Sequence, residues 1–238
     1  MNGAERPDPV ALRTFVQDRR EAMLELLARL TRAESPSDVP ESQAEVRSII
    51  ASELEQRGFA VKRVPGRSSG GMLHARPVSA GRPAQLILGH YDTVWPLGTL
   101  DDMPFEARDG AVHGPGVYDM KGGIAASVIA AEAFLAVCPD FRGAIEISAT
   151  ADEESGGYGG VAYLAEQGYF DPARVQHVII PEPLNKDRVC LGHRGGWWAE
   201  IETHGEIAHG SMPFLGDCAI RHMGAVLQAF ETRLYPAM

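Results

Sequence analysis

The stretch "LILGHYD", residues 86–92, ends an apolar run on a histidine and an aspartate two positions apart. A short apolar run bounded by turn residues predicts a buried strand, and the two polar residues then lie where the strand ends. Residues i and i+2 of an extended chain point to the same side, so Asp92 can contact the imidazole of His90. Two interpretations remain open. His90 is either a buried histidine satisfied by a carboxylate, or a metal ligand whose ring the carboxylate orients.

Predicted strands and helices alternate on both sides of this stretch. Apolar patterning predicts strands over 59–64, 71–77, 84–89, 143–150 and 175–181, and helices over 10–30, 41–57, 122–137 and within 157–168. A long loop is predicted from about 90 to 117. This order predicts an α/β fold, with a mostly parallel sheet that carries helices on both faces.

The pattern changes after residue 187. Residues 188–206, "RVCLGHRGGWWAEIETHGE", alternate apolar and polar positions, which predicts a half-exposed antiparallel strand. A helix is predicted over 217–234. We therefore predict two domains, a catalytic metal-binding domain at 1–187 and the start of a second domain at 188–238.

Composition narrows the possible partners. The formal net charge is −10, and no basic run of five or more residues occurs, which argues against nucleic acid or an anionic membrane as a partner. The three cysteines lie far apart without a CxxC pair, so neither a disulfide framework nor a cysteine zinc site is predicted. No signal-peptide pattern and no stretch of about 18 apolar residues is evident. We expect a cytoplasmic protein.

Acidic side chains follow several of the predicted strands. Glu153 and Glu154 come after "EISAT", Glu182 comes after "HVIIP", and Asp119 immediately precedes the helix at 122. Ligands of parallel sheets collect at the carboxyl ends of the strands, so these groups should lie close to His90. Carboxylates brought together without arginines repel each other, and a cation relieves the repulsion. One imidazole with several carboxylates suits zinc, or else manganese or cobalt.

Each feature alone has an ordinary explanation. Asp119 is well placed to cap the following helix, and adjacent glutamates are usually solvated. The prediction of a metal site rests on the joint placement of these residues at strand ends.

Five motifs in order, "GHYDTVWPLGT", "HGPGVYDMKGG", "ATADEESGG", "IIPEP" and "AHGSMP", resemble the zinc-dependent amidohydrolases and exopeptidases. That family includes acetylornithine deacetylase, succinyl-diaminopimelate desuccinylase and glutamate carboxypeptidase. The resemblance implies the zinc exopeptidase fold, with an inserted α+β lid and dimerisation domain that begins near residue 188. It also implies a cytoplasmic homodimer in the full-length relatives.

The resemblance further implies a role for each site residue. Two divalent metal ions, most simply zinc, would be bound by His90, Asp119, Glu154 and Glu182. Asp119 would bridge the two ions, with His90 and Glu182 on the first and Glu154 on the second.

Three more residues take catalytic roles by resemblance. Asp92 would orient the imidazole of His90, and Glu153 would be the general base. His209 matches a position that reaches the active site of the neighbouring subunit. An exposed loop histidine is the alternative for His209.

The implied activity is hydrolysis of a linear amide, most simply deacylation of an N-acyl amino acid. A carboxypeptidase acting on a short peptide is the enzymatic alternative, and a non-catalytic fragment that binds metal or a partner chain is the other. Family members continue past the position that matches Met238 and supply a further metal-binding histidine there. We therefore expect this chain to resemble an N-terminal portion with an incomplete second metal site.

Overall fold

The computed structural model describes residues 7–78, 84–139, 144–184, 188–192, 195 and 198–237. The chain divides into two compact units, Met1–Arg188 and Val189–Met238. Each unit is described by itself below.

A five-stranded sheet forms the centre of the first unit. The strands of this unit are β1 (Phe59–Val64), β2 (Met72–Pro77), β3 (Ala84–His90), β4 (Glu106–Arg108), β5 (Ala111–His113), β6 (Ala144–Thr150) and β7 (Val175–Ile179). The order in the main sheet is β1-β2-β6-β3-β7. β3 is parallel to both β6 and β7, whereas β2 is antiparallel to both of its neighbours. Four of the five strands therefore run in one direction, which confirms the predicted mostly parallel sheet.

The helices are α1 (Pro9–Asp18), α2 (Arg20–Arg32), α3 (Ala44–Gln56), α4 (Thr99–Asp102), α5 (Gly122–Val137), α6 (Val161–Glu166) and, in the second unit, α7 (Ala219–Ala229). The single helix predicted over 10–30 is two helices that meet at Arg19. Arg19 leaves the helical region with φ −94° and ψ 6°. No proline or glycine marks this break, so the apolar periodicity runs through it.

Both faces of the sheet carry helices, as predicted. Alternate residues of β1 and β2 point to opposite faces. Phe59 and Leu73 belong to the large core that includes residues of α2, α3 and α5. Val64 and Met72 point the other way and pack with Leu164 of α6.

α5 is the central core helix and corrects one sequence expectation. The segment Val117–Val137 is long and apolar enough, by length and composition, to cross a membrane. Half of it is buried in this fold, and α5 contacts α1, α2, β3 and β6. Its alanine-rich sequence lets it pack closely against the sheet. At Gly89 of β3, an added Cβ would lie 2.8 Å from Ile124 Cδ1.

The segment between β3 and α5 is more ordered than the predicted long loop. It contains α4 and a two-stranded hairpin of β4 and β5. Gly98 and Gly116, both with positive φ, precede α4 and the turn Val117–Lys121. These short elements lie beside the main sheet without joining it.

In the second unit, the described part of 188–206 contains no strand. Its β-type pairing is a single bridge between Glu206 and Asp217. The predicted antiparallel strand is therefore wrong for these residues, because alternation gives a strand only where a partner strand is available. The predicted helix over 217–234 is α7, followed by a turn at Phe230–Leu234.

Candidate metal centre

Three strand ends and one turn build the site. His90 is the last residue of β3, and Glu153 and Glu154 lie in the turn that follows β6. Glu182 follows β7, and Asp119 lies in the turn before α5. β3, β6 and β7 run parallel, so their carboxyl ends meet at one edge of the sheet.

The imidazole of His90 lies at the centre of the cluster, with 1% of its side chain exposed. Its Nε2 lies 3.2 Å from Asp119 Oδ1 and 3.3 Å from Glu182 Oε1. Its Nδ1 lies 3.3 Å from Asp92 Oδ1 and 3.1 Å from the Asp92 carbonyl oxygen. Burial by itself lowers the pKa of His90, but Asp92 and Glu182 outweigh it and raise the pKa to about 11. Without a cation, a proton on His90 supplies positive charge that partly offsets the negative charge of Asp92 and Glu182.

Asp92 links three parts of the site although it is fully buried. Its carboxylate accepts hydrogen bonds from the hydroxyl of Ser37 (2.6 Å) and from the backbone N–H groups of Glu153 and Glu154 (both 3.2 Å). Burial opposes ionisation, but His90, Ser37 and the Glu154 N–H hold the pKa of Asp92 below its usual value. Asp92 therefore stays ionised and fixes the turn that carries both glutamates.

The acids around His90 are crowded. Ligand atoms of His90, Asp119 and Glu154 all lie within 4.8 Å of one another. Burial, and after it the charge of Asp119, raises the pKa of Glu154 to about 7. Burial, followed by the charge of Glu182, raises the pKa of Asp119. These shifts show negative charge that is not balanced by the described residues of the chain.

Glu153 lies beside this cluster. Its Oε2 is 3.9 Å from His90 Nε2, and 52% of its side chain is exposed. Burial, followed by the charges of nearby acids such as Glu182, raises its pKa. Glu153 and Asp119 are the accessible carboxylates beside His90, with 52% and 51% of their side chains exposed, whereas Glu182 is 28% exposed.

This donor set fits a divalent cation. A neutral imidazole and several carboxylates within a few ångströms match zinc, and also manganese or cobalt. A cation placed among these groups would replace the proton on His90 and relieve the repulsion that raises the pKa of Glu154. The structure brings together the predicted site residues of the strand ends and of the loop before α5, which are His90, Asp92, Asp119, Glu153, Glu154 and Glu182.

The structure adds residues whose roles the sequence did not give. Ser35 donates a hydrogen bond to the Tyr91 carbonyl oxygen, and Ser37 donates one to the carboxylate of Asp92. Lys121 is 1% exposed, its Nζ donates to the Ala33 carbonyl (2.9 Å), and burial lowers its pKa to about 7. At Gly123, a Cβ would lie 2.4 Å from the Pro181 carbonyl oxygen, so glycine allows the Pro181–Glu182 segment to approach α5. The two serines of "SPS", residues 35–37, were the sequence signal for the hydrogen bonds to Tyr91 and Asp92.

His209 lies in the second unit. Its side chain is exposed, with Nδ1 2.8 Å from Ser211 Oγ. Its inferred role across a subunit boundary stays a prediction. Residues 193–194 and 196–197, and with them Trp197, lie outside the described residues.

A mostly parallel α/β sheet that gathers one imidazole and several carboxylates at its strand ends is typical of α/β metallohydrolases. Residues 86–232 match the model of peptidase family M20/M25/M40. The chain belongs to this family. The match spans both compact units and includes His90, the five carboxylates of the site and His209.

Similar curated proteins carry one name. The chain is 37% identical over 199 residues to succinyl-diaminopimelate desuccinylase of Methylobacterium nodulans, a match that covers 76% of this chain and 50% of the relative. It is 31% identical over 215 residues to the protein of that name from Halorhodospira halophila, covering 87% of this chain and 56% of the relative. The chain thus spans about half the length of the curated relatives it matches.

Solved structures support the fold. Human carnosine dipeptidase 1 superposes with a TM-score of 0.61 at 21% identity, covering 72% of this chain and 40% of that one. A putative aminohydrolase from methicillin-resistant Staphylococcus aureus gives 0.61 at 16% identity, covering 97% and 58%. At these identities the likeness concerns the fold alone.

Proposed function

We propose that this chain forms part of a metal-dependent amide hydrolase that removes an acyl group from an N-acyl amino acid. The observation that carries the proposal is the meeting of His90, Asp119 and Glu154 within 4.8 Å, with Glu182 also against His90. Because the similar curated relatives are named for a desuccinylase, an N-succinyl amino acid is the first substrate to test.

The family resemblance divides these ligands between two cations. His90 and Glu182, 3.3 Å apart, would hold a first divalent cation together with Asp119. Asp119 and Glu154 would hold a second cation, which receives fewer ligands from this chain and should bind more weakly. Zinc suits the set best, with cobalt and manganese as alternatives. When bound, such cations polarise an amide carbonyl and lower the pKa of water.

The chain's own residues position and move protons. Asp92, hydrogen-bonded to Ser37 and to the turn of Glu153, would fix the ring of His90 through its Nδ1 side. The carboxylate of Glu153 would accept a proton from the attacking water and pass it to the leaving amine nitrogen. A raised pKa suits a carboxylate that alternates between base and acid.

The deacylase is favoured over the carboxypeptidase. The support is the name shared by relatives at 31–37% identity, whereas a carboxypeptidase among the solved structures is 19% identical and informs on the fold alone. The site gives no separate support to a purely metal-binding or partner-binding fragment.

The direct test is turnover by the zinc-loaded chain. N-succinyl, N-acetyl and C-terminal peptide substrates are supplied at equal concentration, and release of the free amine is measured. We expect the wild-type chain to hydrolyse an N-acyl substrate. The Glu153→Gln variant should lose this activity, while its zinc content, measured by mass spectrometry, should equal that of the wild type. Glu166→Gln, an exposed glutamate paired with Arg67, is the matched control and should retain activity.

Binding and turnover separate the possible failures. Zinc that binds without any turnover would overturn the assignment of catalysis to this chain but leave the metal centre. Turnover of the peptide alone would replace the deacylase with the carboxypeptidase. Turnover that survives Glu153→Gln would remove Glu153 from the chemistry.

We also propose a cytoplasmic location and a homodimer, with His209 serving the active site of the second copy. Support comes from the three unpaired cysteines, Cys138, Cys190 and Cys218, from the acidic charge, and from the family resemblance. The same charge disfavours nucleic acid and anionic membranes as partners. Light scattering after size-exclusion chromatography measures the oligomeric state.

A further inference from the structure

A second polar site lies on the opposite part of the main sheet. A cavity of about 470 Å³ opens between β1, β2 and the segment that leads from α6 to β7. None of its lining residues belongs to the metal centre. Glu146, which underlies it, precedes Thr150 at the strand end by four residues, or about 13 Å of extended chain.

The floor of this cavity is a buried polar network. Glu146 is fully buried, and its Oε2 accepts a hydrogen bond from Arg174. His74 is 5% exposed, and its Nδ1 lies 2.8 Å from Ser148 Oγ. Burial, together with Arg174 and Arg76, outweighs the effect of Glu146 and lowers the pKa of His74 to about 4. His74 is therefore neutral at physiological pH and adds no positive charge to balance.

The charges around the cavity are unequal. Its described lining contains the three cations Lys62, Arg76 and Arg174, and no carboxylate. Glu146 supplies one negative charge, so two positive charges are in excess. This excess stands out in a chain whose net charge is −10.

Two of the cationic side chains at the cavity are exposed enough to reach a ligand: 40% of the Arg76 side chain is exposed, and Lys62 is exposed. Arg76 Nε lies 2.8 Å from Glu146 Oε1, yet the two are not aligned for a hydrogen bond, and both buried atoms have no hydrogen-bond partner among the described residues. Lys62 Nζ is held 5.0 Å above the ring of Tyr169 at the cavity wall. A network that served stability alone would be expected to align Arg76 and Glu146 for a hydrogen bond, since unsatisfied buried polar atoms are costly.

We propose that this cavity binds a small dianion, either a dicarboxylate or a phosphate, through Lys62 and Arg76. Two excess cations match two negative charges, and guanidinium and ammonium groups are the usual partners of both anions. Arg174, already bonded to Glu146 and to the Tyr169 carbonyl, supports the floor rather than the ligand.

The test is isothermal titration calorimetry on the full 238-residue chain at pH 8 and constant ionic strength. Succinate and inorganic phosphate are the dianionic probes, and acetate and chloride are the monoanionic controls. We expect saturable binding of at least one dianion. Lys62→Gln and Arg76→Gln should each weaken it by about tenfold, since each removes one charge-assisted contact.

Arg63→Gln is the matched control. Arg63 neighbours Lys62 on β1 but points to the other face and pairs with Glu55 at 2.9 Å, so its loss should leave binding unchanged. Whichever dianion binds more tightly identifies the ligand class. The proposal is overturned if neither dianion binds saturably, if acetate binds equally well, or if Arg63→Gln weakens binding as much as Lys62→Gln. Because Lys62 is exposed, its substitution leaves the fold intact and keeps the test decisive.

Discussion

Replacing Glu154 by glutamine should have opposite effects on stability with and without metal. In the metal-free protein, burial and the neighbouring acids raise the pKa of Glu154 from 4.5 to about 7. A pKa difference of 2.5 between the folded and unfolded states corresponds to about 3.4 kcal/mol of lost stability for a fully buried group. Because Glu154 is partly exposed, solvent screening reduces this cost to about 1 kcal/mol. Glu154→Gln removes that cost, so the metal-free variant should be more stable than the wild type.

The pH dependence of this difference has a defined sign. Because the pKa of Glu154 is higher in the folded state than in the unfolded state, the free energy of unfolding of the wild type falls by this amount as the pH rises from about 4.5 to 7. The gap between Glu154→Gln and the wild type should therefore be near zero at pH 4.5 and largest above pH 7. For a chain of this size, about 1 kcal/mol raises the melting temperature by about 2–4 °C.

Metal should reverse the order. A free cation concentration of about 100 times the dissociation constant stabilises the wild type by about 2.7 kcal/mol. If the lost ligand weakens binding about a hundredfold, the same concentration stabilises Glu154→Gln by only about 0.4 kcal/mol. The wild type should then be the more stable protein by about 1 kcal/mol.

Differential scanning fluorimetry at pH 8, with EDTA and then with zinc or manganese chloride, measures both states. Glu166→Gln, at an exposed ion pair, should show neither effect. The reasoning would be refuted if Glu154→Gln were less stable than the wild type without metal. It would also be refuted if metal raised the melting temperature of Glu154→Gln as much as that of the wild type.

Three further experiments test other parts of the structure. Ser37→Ala removes the 2.6 Å hydrogen bond to Asp92 and should lower the free energy of unfolding by about 1–3 kcal/mol and weaken zinc binding, measured by denaturation and by competition with a chromophoric chelator. Gly123→Ala should destabilise the protein despite the better helix propensity of alanine, because the added Cβ meets the Pro181 carbonyl oxygen. Gly224→Ala, in open space on α7, is the control and should stabilise the protein by up to about 1 kcal/mol. Equal effects of the two substitutions on the free energy of unfolding would contradict the close approach of Gly123 to Pro181. The pKa of His74 is about 4 in the folded state, below its usual value of 6.5, so the wild type loses stability as the pH falls from 6.5 to 4. The His74→Gln variant cannot take up this proton. In urea titrations its free energy of unfolding should therefore fall by about 3 kcal/mol less than that of the wild type over this pH range.

The main features of the fold and the site were accessible from local patterns. The strand 84–89 and the helix 122–137 were predicted almost to the residue, because apolar runs bounded by glycine fix such elements locally. Because ligands collect at the carboxyl ends of parallel strands, the sequence predicted that His90, Glu154 and Glu182 lie close together; Asp119 was predicted from its place just before the helix at 122.

Features that depend on long-range contacts were not accessible. The hydrogen bond from Ser37 to Asp92 joins residues 55 positions apart, and the contact of Gly123 with Pro181 joins two segments 58 positions apart. Lys121 is buried because it bonds to the Ala33 carbonyl, which no local pattern indicates. The strand predicted at 188–206 is absent from the described residues of that segment for the same reason, since a strand requires a partner that alternation alone does not reveal.

A cation should bind where the acidic groups from distant parts of the chain meet the imidazole of His90. Crystals of the chain grown with zinc and measured at the zinc absorption edge test this directly. We predict an anomalous peak within bonding distance of His90 Nε2 and of a carboxylate oxygen of Asp119. A well-ordered site without such a peak, or zinc bound only elsewhere on the chain, would contradict it.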